Sequence, residues 1–160
     1  MSTSLSVNGQ SIPAVPAHLL DRLRSIETAI KPFEHTFKVE MEHVLHAGMY
    51  ARTCRIAPGM LAINVLIKVP TVVIFHGHGW FLVGDKWQEF EGYNVVPAEA
   101  GRKNICVTLE ETEITMIFPT NAKTVEEAEN EMSNEAENLL TRRTEDTVKT
   151  VITGVELCRA

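Results

Sequence analysis

Apolar and charged side chains alternate over residues 33–42, with Phe37, Val39 and Met41 on one face and Lys38, Glu40 and Glu42 on the other. That period of two predicts a half-buried strand. Residues 50–56 predict a second strand, and Ala57-Pro58-Gly59 turns the chain. Residues 60–68 are almost continuously apolar, as in a strand covered on both sides. Residues 71–75 and 80–83 flank His76-Gly77-His78-Gly79, which reads as a tight glycine-rich connection. Gly84-Asp85-Lys86 predicts a hairpin turn into residues 87–90. Residues 93–96, 103–109 and 114–118 complete a set of eight or nine short strands. Strands at such spacing predict an all-β jelly roll.

The two ends carry a helical period instead. Leu19, Leu20, Leu23, Ile26 and Ile30 recur at helical spacing, with Asp21, Arg22, Arg24 and Glu27 opposite. Pro16 suits the first turn, where its missing N–H would have no partner, and Pro32 ends the run. Near the other end, Thr124-x-x-Glu127 is a capping-box signature. Val125, Ala128, Met132, Ala136 and Leu139 then form a narrow seam among six glutamates. Such a helix is expected to be mostly solvated, lying along a surface or a partner. Arg142 and Arg143 near its end complement the helix dipole. The tail from Thr144, with Val148, Val151, Ile152 and Val155, reads as a late strand pairing within the domain or across a subunit boundary. The resulting division is an arm and helix over 1–32, a β-barrel over 33–120, and an acidic helix and tail over 121–160.

Charge narrows the function classes. The net charge is −6, and residues 121–160 hold five Lys/Arg against nine Asp/Glu. That balance disfavours nucleic acid, which needs clustered cations. No apolar run approaches the roughly 20 residues that cross a bilayer, and the polar N-terminus has no signal-peptide pattern. No membrane role is expected. Cys54, Cys106 and Cys158 are odd in number and far apart, reading as reduced thiols, with Cys54 and Cys106 as small buried hydrophobes.

Catalytic templates are missing: the chain has no GxSxG elbow, P-loop, GxGxxG or HExxH. His76-x-His78 is a weak metal candidate, since alternate strand residues share a face. Glycines flank it, however, and no carboxylate follows at the needed distance. His35, His43 and His46 form a looser group; His43-x-x-His46 has the spacing to ligate a metal on a helical turn, against the simpler reading of a surface or capping role. Arg52, Arg55, Arg102 and Lys103 are candidates for an anionic ligand at the barrel mouth, against the simpler reading of solvated strand-end charges.

Pro58-Gly59, the buried strand, the glycines at 77 and 79, and Gly92-Tyr-Asn-Val-Val-Pro97-Ala-Glu-Ala-Gly101 together resemble the frame of a cupin. The stretch over roughly 43–127 is similar to small cupin-like proteins of tailed phages and prophages. In those, as here, a Tyr-x-Arg strand precedes the Pro-Gly turn and a Glu-Glu-Thr step (Glu110-Glu111-Thr112) comes later. The resemblance implies a site of three imidazoles and a carboxylate around a divalent metal. Counted from Gly59, the expected histidines fall on Val65 and Ile67, or on Asn64 and Leu66 with a one-residue slip. The expected carboxylate falls on Thr71 or Val72, and the last histidine on Asn104. Aliphatic side chains cannot ligate, so that metal site is expected to be missing.

The expectation is therefore a mainly-β, cupin-like jelly roll (a double-stranded β-helix) with an N-terminal amphipathic helix and a C-terminal acidic helix. No catalytic residue, metal or cofactor is assigned. The leading functional expectation is a non-catalytic, phage-encoded homo-oligomer binding other phage or host proteins, in the host cytoplasm or the virion. Two alternatives stand beside it. One is a divergent cupin isomerase or dioxygenase using His76 and His78; the other is a binder of a small anion or sugar at Arg102, Lys103 and Asn104.

Overall fold

The computed structural model describes residues 11–36, 39–143 and 148–152. The arm before residue 11, Phe37 and Lys38 of the alternating run, Thr144, Val155 and Cys158 lie outside the described residues. The strands are β1 (Glu40–His46), β2 (Met49–Ile56), β3 (Leu61–Ile63), β4 (Thr71–Val83), β5 (Lys86–Ala98), β6 (Ile105–Thr108), β7 (Thr112–Pro119) and β8 (Val148–Ile152). They form one sheet in the order β3-β6-β4-β7-β2-β1-β8, with β5 paired to β4. The sheet is mainly antiparallel and curls round an interior.

Residues 76–79 are not a turn. They lie inside one 13-residue strand, β4, paired along its whole length with a 13-residue β5. The glycines serve a different need. On its other edge β4 pairs with β7 over Val72–His76 and then with β6 over Gly79–Phe81. Where it changes partner the backbones crowd together. A Cβ at Gly77 would stand 2.5 Å from Thr112 Oγ1 and 2.7 Å from Thr112 Cα; one at Gly79 would stand 2.6 Å from Val107 O. Gly77 also has φ +143°, a value that L-residues avoid. The hairpin expected at Gly84-Asp85 is present, closing Val83 onto Lys86.

The apolar run 60–68 is strand only over Leu61–Ile63. Beyond it the backbone bonds elsewhere: Asn64 N–H to Asn104 O at 3.1 Å, Leu66 N–H to the Glu135 carboxylate at 3.2 Å, and Lys68 N–H to Met132 O at 2.9 Å. Two of those acceptors belong to the C-terminal segment, which draws this stretch away from the sheet.

Helix α1 (Ala17–Ile30) is present, with Leu23 buried and with Pro16 as its extended N-cap rather than in its first turn. Helix α2 (Val125–Met132) ends sooner than expected, at an extended Ser133. A 3-10 turn (Ala136–Asn138) and the short α3 (Leu140–Arg143) follow. The cap is half a capping box: Thr124 Oγ1 accepts from Glu127 N–H, but the Glu127 carboxylate takes the Lys123 N–H instead of that of Thr124.

The seam of this segment is not solvated. Ala128, Met132, Ala136 and Leu139 are buried against Leu45, Tyr50, Val65, Ile67 and Phe118, in one core cluster. The strand at 148–152 pairs in parallel with β1 of the same chain. Both apolar features that suggested a partner subunit are thus used within the chain.

Gly77→Ala is expected to destabilise the protein by about 2 kcal/mol or more, from a strained φ and contact with backbone atoms of Thr112. Urea unfolding of the variant beside a control at Gly59, where a Cβ meets nothing within 4 Å, checks the share due to crowding.

Candidate functional site

Strand alternation sends one set of side chains inward: Met41 on β1, Cys54 and Ile56 on β2, Val73 and Phe75 on β4, Ile114 and Met116 on β7. They wall a cavity of about 540 Å³, within the range of small-molecule sites. Phe75, Phe81 and Phe90 meet there with centroids 4.6 to 5.5 Å apart, two of the three pairs edge to face. Ile30 and Phe33 from the N-terminal segment and Met132, Leu139 and Leu140 from the C-terminal one complete the wall. Val65, Ile67 and Asn104, where the cupin pattern places its histidines, line it too.

Two arginines reach this interior. Arg52 on β2 pairs with Glu129 of α2 at 2.7 Å, and Glu129 also takes Thr141 Oγ1 at 2.6 Å and Arg142 Nε at 3.0 Å. Arg102 follows Gly101, whose φ of +80° turns the chain so that Ile67 and Arg102 bridge. It is not an exposed strand-end charge but 1% exposed. Its Nη1 donates to Glu99 O at 2.8 Å and Val69 O at 3.3 Å, and its Nη2 to Thr71 Oγ1 at 2.6 Å. Burial lowers its pKa to about 10, which leaves it charged at neutral pH.

Lys103, also expected at an open mouth, is buried and turned the other way. Its Nζ reaches Glu27 at 3.0 Å, Asn64 O at 3.0 Å and Glu135 at 3.6 Å. Asn104 N–H donates to Asn64 Oδ1 at 2.6 Å. The structure therefore brings Arg102 and Asn104 to the cavity and gives Lys103 to the chain ends. Arg55 stays outside, bonded to Glu40 and Glu113.

His76 and His78 occupy the β4 face opposite Val73, Phe75 and Phe81, so they do not line the cavity. His78 Nε2 lies 2.8 Å from Glu89, whose hydrogen bond raises the imidazole pKa. His76 packs edge-on to Tyr93. Among the described residues no group of three or more His, Cys, Asp or Glu could hold a metal ion. His43 and His46 are on strand β1, not a helical turn, and His43 is fully buried rather than a surface or cap residue. Its Nδ1 lies 2.7 Å from Tyr50 Oη, while its Nε2 has no hydrogen-bond partner among the described residues. Burial raises the Cys54 thiol to about 11 and Cys106 to about 12, so neither is a thiolate nucleophile at neutral pH.

No family model matches the sequence, and no curated protein sequence matches it. Among solved structures the likeness is to cupins. A cupin superfamily protein from Desulfitobacterium hafniense aligns at a TM-score of 0.44 and 11% identity, over 52% of this chain and 79% of its own. A cupin 2 conserved barrel domain protein from Salinispora arenicola gives 0.43 and 13%, over 52% and 76%. KdgF from Halomonas sp. gives 0.43 and 11%, over 56% and 91%. The likeness concerns the β-roll, and no functional conclusion rests on it.

His43 makes the interior sensitive to acid. Burial first, then the Arg52 guanidinium, hold its pKa at about 4 against an ordinary 6.5. Its contribution is constant above the unfolded value and is lost as pH falls from 6.5 towards 4, because only the unfolded chain takes up the proton there. Between pH 7.5 and pH 5 the wild type is expected to lose about 2 kcal/mol more than His43→Leu does. Urea unfolding at the two pH values measures it, and equal losses would show that His43 does not carry the effect.

Proposed function

We propose that this protein binds a small, largely apolar molecule inside its roll and does not transform it. One observation carries the reading: a cavity of about 540 Å³ walled by aliphatic, aromatic and thioether side chains from the sheet and both chain ends. A hydrophobic guest there gains by leaving water in proportion to the apolar area it buries.

Several features favour binding over catalysis. General acid–base work needs a titratable group within hydrogen-bond reach of the substrate. The interior thiols are held protonated, and Glu129 is fully occupied by Arg52, Arg142 and Thr141. The His78–Glu89 pair lies on the other face of β4. The expectation of an oligomeric component rested on apolar stripes at the two ends. Met132, Ala136 and Leu139 of the C-terminal stripe join the core cluster, and Met132, Leu139 and Ile30 line the cavity, which shifts the weight to the binder of a small ligand.

A neutral apolar dye, N-phenyl-1-naphthylamine, tests this directly. The wild type is expected to bind one dye per chain with a saturable rise in fluorescence. Ala62→Phe, which puts a ring into the cavity from β3, is expected to weaken binding about tenfold or more, or roughly 1.4 kcal/mol, with little change in melting temperature. Unchanged dye affinity in that variant would put the dye elsewhere and remove the reading.

A further inference from the structure

Among the described residues, the charges on the cavity wall are matched, with one exception. Arg52 is answered by Glu129 at 2.7 Å, and Glu27 by Lys103 at 3.0 Å. Arg102 has neutral acceptors only: two backbone carbonyls, the Thr71 hydroxyl and, at 3.1 Å, the Met116 thioether. Its Nε is buried with no hydrogen-bond partner among the described residues. Guanidinium does not shed its proton to escape such a site, as a lysine ammonium can. A positive charge therefore sits in an apolar interior with no carboxylate of the described residues paired to it. Burying a charge without a counter-charge is strongly unfavourable, and a ligand that brings the missing charge removes that penalty on binding.

We propose that the ligand of this cavity is an amphipathic acid, an apolar body ending in one carboxylate, with the carboxylate set against Arg102. The proposal rests on the interior-binding reading above and narrows it. Phe75, Phe81, Phe90 and Ile114 meet the apolar body, while one carboxylate oxygen takes the Arg102 Nε–H, the guanidinium donor that has no partner among the described residues. The single unmatched charge also sets the ligand's charge. An amine would add a second cation beside Arg102. A phosphate monoester would bring more negative charge than one guanidinium answers, since Arg52 is already paired.

Isothermal titration of the wild type with octanoate, octan-1-ol and octylamine at pH 7.5 separates these cases. Octanoate is expected to bind about thirtyfold tighter than octanol, the size of a hydrogen-bonded charge contact, with octylamine weakest. Arg102→Met should abolish the preference for octanoate while leaving octanol affinity within a few-fold, and Arg102→Lys should retain part of it. Octanol binding as tightly as octanoate to the wild type overturns the carboxylate proposal and leaves interior binding standing. Binding of none of the three, with no saturable uptake of the naphthylamine dye, overturns both. Should Arg102→Met fail to fold, the wild-type comparison decides alone.

Discussion

The Glu129 carboxylate is where the sheet and the C-terminal segment are joined. It is 2% exposed, and both oxygens are engaged, by Arg52 from β2 and by Thr141 and Arg142 from the chain after α2. A charge so buried is tolerable because three donors, two of them cationic, reach its oxygens. The join fixes the rotation of α2 about its own axis. With Glu129 turned to Arg52, Ala128 and Met132 are pressed onto Tyr50, Ile67 and Phe118. A solvated glutamate at the same position would leave that seam free to slide, and one end of the roll would lie open.

Closing that end leaves the rest of the interior hollow. The large side chains of the main cluster fill the part beneath α2, whereas the part bounded by Phe75, Phe81 and Phe90 is not filled. A sealed, empty void of this volume would cost on the order of 10 kcal/mol at the rate measured for engineered cavities. That rivals the whole net stability of an ordinary domain. The space is therefore one that water or a guest occupies in solution, and its apolar lining favours the guest. The two chain ends lie over it, and Ile30 and Leu139 both stand in its wall.

Much of the architecture was legible from periodicity. The β-rich middle, the hairpin at Gly84, the first helix and the Thr124 cap all follow from local patterns that the chain obeys. The errors have physical causes. His76-Gly77-His78-Gly79 looked like a turn because glycine serves both tight turns and close backbone approach, and only the crossing of Thr112 and Val107 tells them apart. The seam of α2 looked solvated because its glutamates outnumber its apolar residues, and nothing local reveals that Glu129 will find two arginines. Arg102 and Lys103 looked exposed because charged residues usually are. Their burial depends on partners far away in the chain, Thr71 and Val69 for Arg102 and Glu27 and Glu135 for Lys103.

That neighbouring pair shows why the cavity's polarity could not be assigned by residue type alone. In extended chain, consecutive side chains point to opposite sides. Arg102 goes inward to the cavity, and Lys103 goes to the carboxylates of α1 and of the segment after α2. Asn104 then anchors the stretch through Asn64. Both cations are buried, yet only the one without carboxylates about it is chemically unsatisfied. Exchanging the two types would fail on both sides. An arginine in place of Lys103 would have to fit a planar fork where a compact ammonium meets two carboxylates and a carbonyl. A lysine in place of Arg102 would leave the Thr71 hydroxyl or a backbone carbonyl without its donor, and could discharge itself by losing a proton. The arrangement makes sense if the site must stay positively charged while the cavity is empty.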